Sequence, residues 1–247
     1  LCAIAPLSAA NESAFSEPAA STARAEGELY VRAAELHLGD GRVLLDGVLH
    51  VERGKVKSVG RGVEVPSDRP HIIHDGVLTA GFIACRSGLG LTGESHDSTR
   101  AVLPEARIAD AWSPAHSDFE RALEHGITTV VLAPSSGNVA GGVTAVAKTD
   151  GSALVAREAH LSLSFTGAPL VRNRQPTSYS GAVAELDRLF QEPDGVAERV
   201  AGGHMPVFAY ASSLHQLTRA LRFLERHELG GVIVGCYQAG EIAERVK

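Results

Sequence analysis

The sequence has few lysines: four of its 23 cationic residues are lysine, and the cationic residues form no run. Its formal charge is −6 at pH 7. A protein surface that binds nucleic acid needs clustered cations that face the phosphates and release their counterions. This composition therefore predicts no nucleic-acid partner.

Cysteine is also scarce, with Cys2, Cys85 and Cys236 spread along the 247-residue chain. This number and spacing fit neither a disulfide framework nor a Cys-x-x-Cys metal site. We therefore expect small buried apolar residues at these three positions. No apolar run reaches the ~20 residues that a membrane-spanning helix needs, so the sequence predicts no membrane span.

The first 27 residues show no periodic pattern. Residues 1–10 are largely apolar and end in small residues, as the tail of a signal peptide does. Residues 11–27 are rich in Ala, Ser and Glu, a composition typical of disorder. We predict a signal-peptide remnant and disordered leader in residues 1–27, and export to the periplasm or cell surface.

Residues 28–77 contain short, alternating apolar runs with turn signals at Asp46-Gly47 and Arg53-Gly54. Runs of this kind predict β-strands, and an Asp-Gly or similar pair between two of them predicts a hairpin. We expect these residues to form a small β-sandwich domain.

Strand and helix patterns alternate from residue 78 onwards, which predicts an α/β fold with parallel βα units. Residues 78–87, 127–133, 206–211 and 231–235 are apolar runs of strand length, and the first two predict buried strands. Ser213 and Gln216 form a capping-box pattern at the start of a helix with leucines on one face.

Three of these segments resemble the amidohydrolase superfamily, and within it the imidazolonepropionase-like type. Residues 77–90 (VLTAGFIACRSGLG) are similar to the Pro-Gly-Phe-Ile-Asp segment that ends the first barrel strand and continues into His-x-His. Residues 127–142 resemble the Gly-Val-Thr-Thr-Val segment and its Gly-rich loop. Residues 206–211 (PVFAYA) resemble a later strand of the form Val-x-Val-His-Ala.

The resemblance implies that residues 78–247 are the N-terminal part of a (β/α)8 barrel of the TIM type, preceded by the small β domain. Because a whole barrel takes roughly 250 residues, we expect the chain to be truncated at its C-terminus. Members of this superfamily hydrolyse C–N bonds with one or two divalent metals that activate a bound water.

The resemblance also locates the metal-ligand positions. Arg86 and Gly88 stand where the family has His-x-His, and Tyr210 stands where it has the histidine of a later strand. Arginine is a permanent cation and does not replace imidazole as a metal ligand. We therefore interpret these as degenerate positions and expect no metal cofactor there.

Two functions remain open. The first is a pseudoenzyme that acts as a binding or structural partner, as a homo-oligomer or with an active paralogue, and whose small-molecule ligand the sequence does not identify. Arg86 would then supply a fixed positive charge for a carboxylate. The second is an active hydrolase of cyclic-amide type, with Cys85, His204 and Cys236 as altered ligands for zinc or another divalent metal.

Other polar residues are expected to have structural roles. His96 and Asp97 lie in a long predicted loop, residues 91–114, where polar residues are common. The Gly-rich stretch 137–142 is not followed by the Lys and Ser/Thr of a P-loop, so we predict a tight loop. Three arginines are expected to be solvated or to bind backbone carbonyls: Arg157, Arg172 and Arg174.

Overall fold

The computed structural model describes residues 27–115 and 117–245. They form two compact units, the first ending at Ala80 and the second beginning at Gly81. The sequence pattern predicts this boundary after Val77. The predicted signal-peptide remnant and leader lie outside the described residues, apart from Gly27. No helix in the described ranges is long and apolar enough to cross a membrane.

The first unit contains a four-stranded sheet in the order β3-β2-β1-β4. Its strands are β1 (Glu28–His37), β2 (Val43–Glu52), β3 (Lys55–Gly60) and β4 (His71–Thr79). Neighbouring strands pair antiparallel, except that β4 pairs parallel with β1. The described residues of the first unit form this one sheet rather than the predicted sandwich, because β4 extends the sheet at the free edge of β1.

One of the two predicted hairpin turns is confirmed. Arg53 and Gly54 join β2 to β3, and both have positive φ (52° and 74°), as a two-residue turn of this hand requires. The turn predicted at Asp46-Gly47 is wrong, because β2 runs through these residues. The turn between β1 and β2 lies at residues 38–42, where two glycines take positive φ.

Among the described residues, the second unit contains eight strands and four α-helices. The strands are β5 (Phe82–Ser87), β6 (Ile127–Leu132), β7 (Ala140–Val143), β8 (Ala145–Lys148), β9 (Leu154–Ala156), β10 (Leu161–Ser164), β11 (Val207–Tyr210) and β12 (Gly231–Val234). The helices are α1 (Ser117–Glu124), α2 (Tyr179–Gln191), α3 (Gly195–Ala201) and α4 (Leu214–Arg226). Two 3-10 segments complete the unit: Ile108–Ala111 and Ala239–Arg245.

The eight strands form two sheets, β12-β11-β10-β7 and β5-β6-β8-β9. The strands β10, β11 and β12 are mutually parallel, as are β5 and β6, which agrees with the predicted βα units. The predicted capping box at the start of α4 is confirmed, with the side chains of Ser213 and Gln216 each bonding the other's backbone N–H. The described strands do not close a barrel.

Alternation along β11 sorts its side chains onto two faces of the sheet. Val207 and Ala209 are fully buried in a large core that they share with residues of α2, α3 and α4. Phe208 and Tyr210 lie on the opposite face and pack against Ala133, which follows β6. The helix-free face of the sheet therefore carries an aromatic pair.

The strands β5 and β12 each lie at one edge of their sheet in the described part of the chain. Phe82 is 63% exposed and Ile83 is 60% exposed on β5, and Val232 is 47% exposed on β12. The predicted burial of β5 is therefore wrong, because this strand has a neighbour, β6, on one side only.

The Gly-rich stretch 137–142 is not entirely the tight loop that its composition predicts, because its last residues belong to β7. Gly142 has a φ of +90°, and a Cβ there would lie 2.4 Å from the carbonyl oxygen of Ala106. The absence of a side chain allows the N–H of Val143 to donate to that carbonyl at 2.7 Å. Glycine is needed here for the close approach of two distant backbone segments.

Two buried polar side chains hold the loop of residues 91–114 in place. Asn138, 2% exposed, accepts the N–H of Asp97 and donates to the carbonyls of Asp97 and Arg100. Arg174, 8% exposed, donates to four backbone carbonyls, among them those of Asp97 and Arg100. The expectation that this arginine binds backbone carbonyls is confirmed.

Asp97 closes a turn within the same loop. Its Oδ1 accepts hydrogen bonds from the Thr99 N–H, the Thr99 hydroxyl and the Arg100 N–H, each at 2.7 Å. These donors, the Thr99 hydroxyl foremost, lower the pKa of Asp97 to about 2. The folded structure therefore favours the charged form of this carboxyl group.

We predict that Asp97→Ala lowers the free energy of unfolding at pH 7. Because the folded pKa of Asp97 lies below the unfolded value of about 3.9, its contribution is complete above that value and is lost as the pH falls toward 2. The free energy of unfolding is measured by urea unfolding followed by circular dichroism. We expect the difference in this free energy between wild type and variant to narrow below pH 4. Asp194→Ala is the control, because the Asp194 side chain makes no capping bond. A gap that stays constant with pH would contradict this role.

Candidate functional site

A β-bulge interrupts β5 next to the first predicted site residue. Ala84 pairs with Val130 and Ser87 pairs with Leu132, so that Cys85 and Arg86 lie opposite a single residue of β6. A bulge bends its strand and turns a side chain away from the regular alternation. Arg86 is thereby placed at the distorted end of β5.

The guanidinium group of Arg86 lies over the ring of Tyr210, with 4.9 Å between Arg86 Cζ and the ring centroid. A cation in this position is attracted by the electrons of the ring face. Arg86 is exposed, and within the described residues it has no ion pair with a carboxylate. The group thus keeps most of its N–H donors available to a ligand.

Tyr210 is the last residue of β11 and is 2% exposed. Its hydroxyl donates to the carbonyl oxygen of Pro134 at 2.5 Å. Burial raises the pKa of Tyr210, and the neighbouring Arg86 partly opposes that rise. The phenol therefore stays protonated at neutral pH and serves as a hydrogen-bond donor.

Apolar side chains hold Tyr210 in position. The rings of Phe208 and Tyr210 meet edge to face, with centroids 5.4 Å apart and planes at 77°. Ala133 is buried against both rings, and Val131 and Val234 pack around them. Arg86 thus lies over the ring of an aromatic residue that apolar neighbours hold in place.

The other predicted site residues lie in different places. Cys85 is exposed on the bulge, and Cys236, two residues beyond β12, is half-buried. The predicted burial is therefore wrong for Cys85, which belongs to an edge strand, whereas Cys236 packs against the large core. Gly88 follows β5, and a Cβ there would meet no atom within 4 Å. His204 is exposed and precedes β11, at the strand end opposite to Tyr210.

The structure therefore brings Arg86 and Tyr210 together but not Cys85, His204 and Cys236 as a set. Across residues 27–115 and 117–245, no three His, Cys, Asp or Glu side chains are grouped as a metal ion would require.

A hydroxyl pair at the end of β10 was missed from the sequence. The oxygens Ser164 Oγ and Thr166 Oγ1 are 2.9 Å apart, and Ser164 is 2% exposed. The alternation Leu161-Ser162-Leu163-Ser164 places both serines on the sheet face that the leucines leave free. This alternation indicates the position of Ser164 from the sequence, but not that of Thr166, which lies beyond the strand.

No protein-family model and no curated protein matches the sequence. Among solved structures, an amidohydrolase from Thermotoga maritima MSB8 matches with a TM-score of 0.74 and 24% identity, covering 87% of this chain and 66% of that one. A Xaa-Pro dipeptidase with bound methionine in its active site has a TM-score of 0.49, with 15% identity over 88% of this chain and 69% of that one. The ochratoxinase of A. niger has a TM-score of 0.37, with 16% identity over 79% and 58%.

Over 87% of its length this chain shares the fold of the Thermotoga maritima amidohydrolase. It spans 66% of the length of the Thermotoga maritima protein, and at 24% identity the likeness concerns the fold and not the activity. The other two structural matches have TM-scores below 0.5, and no conclusion is drawn from them. On this amidohydrolase fold, the structure places Arg86 and Tyr210 at the carboxyl ends of β5 and β11.

We predict that Arg86→Gln raises the pKa of Tyr210, because the variant removes the cation that opposes the effect of burial. The pKa is measured by NMR titration of ring-labelled tyrosine, with Tyr210→Phe to assign the signal. Arg121→Gln on α1, whose side chain is 78% exposed, is the control and leaves this pKa unchanged. An unchanged Tyr210 pKa in Arg86→Gln would show that the two groups do not interact.

Proposed function

We propose that the second unit is the N-terminal part of a (β/α)8 barrel of the imidazolonepropionase-like type, and that its strand ends bind a small carboxylate ligand instead of a catalytic metal. One observation carries this proposal: the Arg86 guanidinium, without a carboxylate partner among the described residues, lies over the buried ring of Tyr210. In this proposal the protein is a pseudoenzyme with an amidohydrolase fold.

The donor chemistry at the three family positions does not fit a divalent metal. Arg86 is a permanent cation and repels one, and Gly88 has no side-chain donor. The Tyr210 phenol is held in its protonated form, with its proton directed at the carbonyl of Pro134. A hydrolase of C–N bonds, the alternative, requires metal ligands other than these three residues.

A carboxylate suits Arg86 for geometric reasons. The planar guanidinium presents parallel N–H groups that match the two oxygens of a carboxylate, and such charge-assisted pairs are stronger than neutral hydrogen bonds. The ring of Tyr210 fixes the plane of the guanidinium, so less side-chain freedom is lost when a ligand binds. The apolar residues around the ring favour a ligand that carries an apolar group beside its carboxylate.

Isothermal titration calorimetry with acetate, benzoate and N-acetylated amino acids tests the proposal. We expect at least one of these carboxylates to bind wild type, and Arg86→Gln to weaken that binding by about 10- to 150-fold, since a hydrogen bond to a charged group contributes about 1.5–3 kcal/mol. Arg86→Lys keeps the positive charge but lacks the paired N–H groups of the guanidinium, and we expect it to give an intermediate affinity. Equal affinities for wild type and Arg86→Gln, or no binding to wild type, would refute the proposal.

A further inference from the structure

A groove of about 530 Å³ lies between α2 and α4, and its lining is strongly cationic. The helix α4 contributes His215, Arg219, Arg222 and Arg226 to this groove. Their spacings of four, three and four residues place them on one helix face, over roughly 16 Å at 1.5 Å per residue. A volume of this size is typical of a small-molecule site.

The groove holds more positive charge than its surroundings neutralise. Asp187 on α2 binds Arg226 at 3.1 Å, but it also binds His227 at 2.8 Å. Arg222 is exposed and has no ion pair within the described residues. Three arginines thus face one shared carboxylate, in a chain whose formal charge is −6.

Such a row is unfavourable for the helix itself. Like charges three and four residues apart on one helix face repel one another and destabilise it. The arginines are nevertheless held in order at one end of the row: Arg219 lies over the ring of Tyr179, 3.9 Å from its centroid, and donates to the carbonyl of Phe165 at 3.2 Å. An anion in the groove would relieve this repulsion.

The floor of the groove is apolar. Val183 and Leu214 line the groove beside the arginines, over the buried ring of Phe223. Arg219 and Arg226 each donate through a single Nη1 in the structure, which leaves further N–H groups of both side chains for a ligand. Cationic walls above an apolar floor suit an anion that carries an apolar portion.

We propose that this groove binds a phosphate monoester with an apolar substituent. A phosphate offers three acceptor oxygens and up to two negative charges, which match several guanidinium groups better than a single carboxylate does. The apolar substituent would cover Val183 and Leu214. This site is formed by residues other than Arg86 and Tyr210, and is independent of the carboxylate site proposed above.

Calorimetry with octyl phosphate, inorganic phosphate and octanol on the full chain tests this assignment. We expect octyl phosphate to bind about tenfold more tightly than inorganic phosphate, and octanol not to bind measurably. Arg222→Gln weakens the binding of octyl phosphate by about tenfold. Because the Arg222 side chain is exposed and makes no ion pair among the described residues, this variant folds as wild type does.

Two control variants test whether the effect is specific to the arginines of the groove. Arg188→Gln removes an exposed arginine of α2 that pairs with Glu185 outside the groove, and Arg86→Gln removes the cation of the carboxylate site. Both retain wild-type affinity for octyl phosphate. The proposal is overturned if wild type does not bind octyl phosphate, if Arg222→Gln binds it as wild type does, or if inorganic phosphate binds equally tightly.

Discussion

Parallel pairing of β10, β11 and β12 is the constraint on which the described part of the second unit depends. Parallel strands direct all their carboxyl ends to the same edge of a sheet, and strand alternation gives the helices one face and leaves the other free. Leu161, Leu163 and Val207 are fully buried on the helix side. The helix-free side therefore carries Phe208 and Tyr210, and Tyr210 is the last residue of its strand.

The strand ends carry a cationic side chain, Arg86, and a protonated phenol, Tyr210. The Tyr210 hydroxyl donates to Pro134, and its burial keeps the proton in place, while Arg86 on the bulge of β5 lies over the ring. The fixed charge of Arg86 attracts an anion and repels a metal ion, and the Tyr210 hydroxyl, protonated and bonded to Pro134, offers no anionic ligand to a metal. The arginines of the groove beside α4 carry the same charge on a different surface, and for both sites we propose anionic ligands.

The elements that local sequence determines were predicted well. The capping box of Ser213 and Gln216 and the strands β11 and β12 follow from patterns within a few residues, and the structure confirms them. The alternation of strand and helix patterns predicted a mixed α/β fold, which the structure has and shares with the Thermotoga maritima protein.

Features that depend on distant contacts were not predictable. The role of Gly142 depends on Ala106, and the exposure of β5 depends on which strands lie beside it. The sequence pointed to Arg86 and Tyr210 through their positions in family motifs. Neither the bulge that turns Arg86 nor the bond from Tyr210 to Pro134 has a local signature.

Metal content tests the central claim most directly. The protein is purified without chelator, and zinc, manganese and iron are measured by elemental analysis beside an Arg86→His/Gly88→His double variant. The space around Gly88 admits a side chain, so the variant restores both imidazoles without a steric clash at that position. We predict no stoichiometric metal in wild type and more zinc in the double variant. One equivalent of any of these metals in wild type would contradict a carboxylate-binding pseudoenzyme and favour a metal-dependent hydrolase.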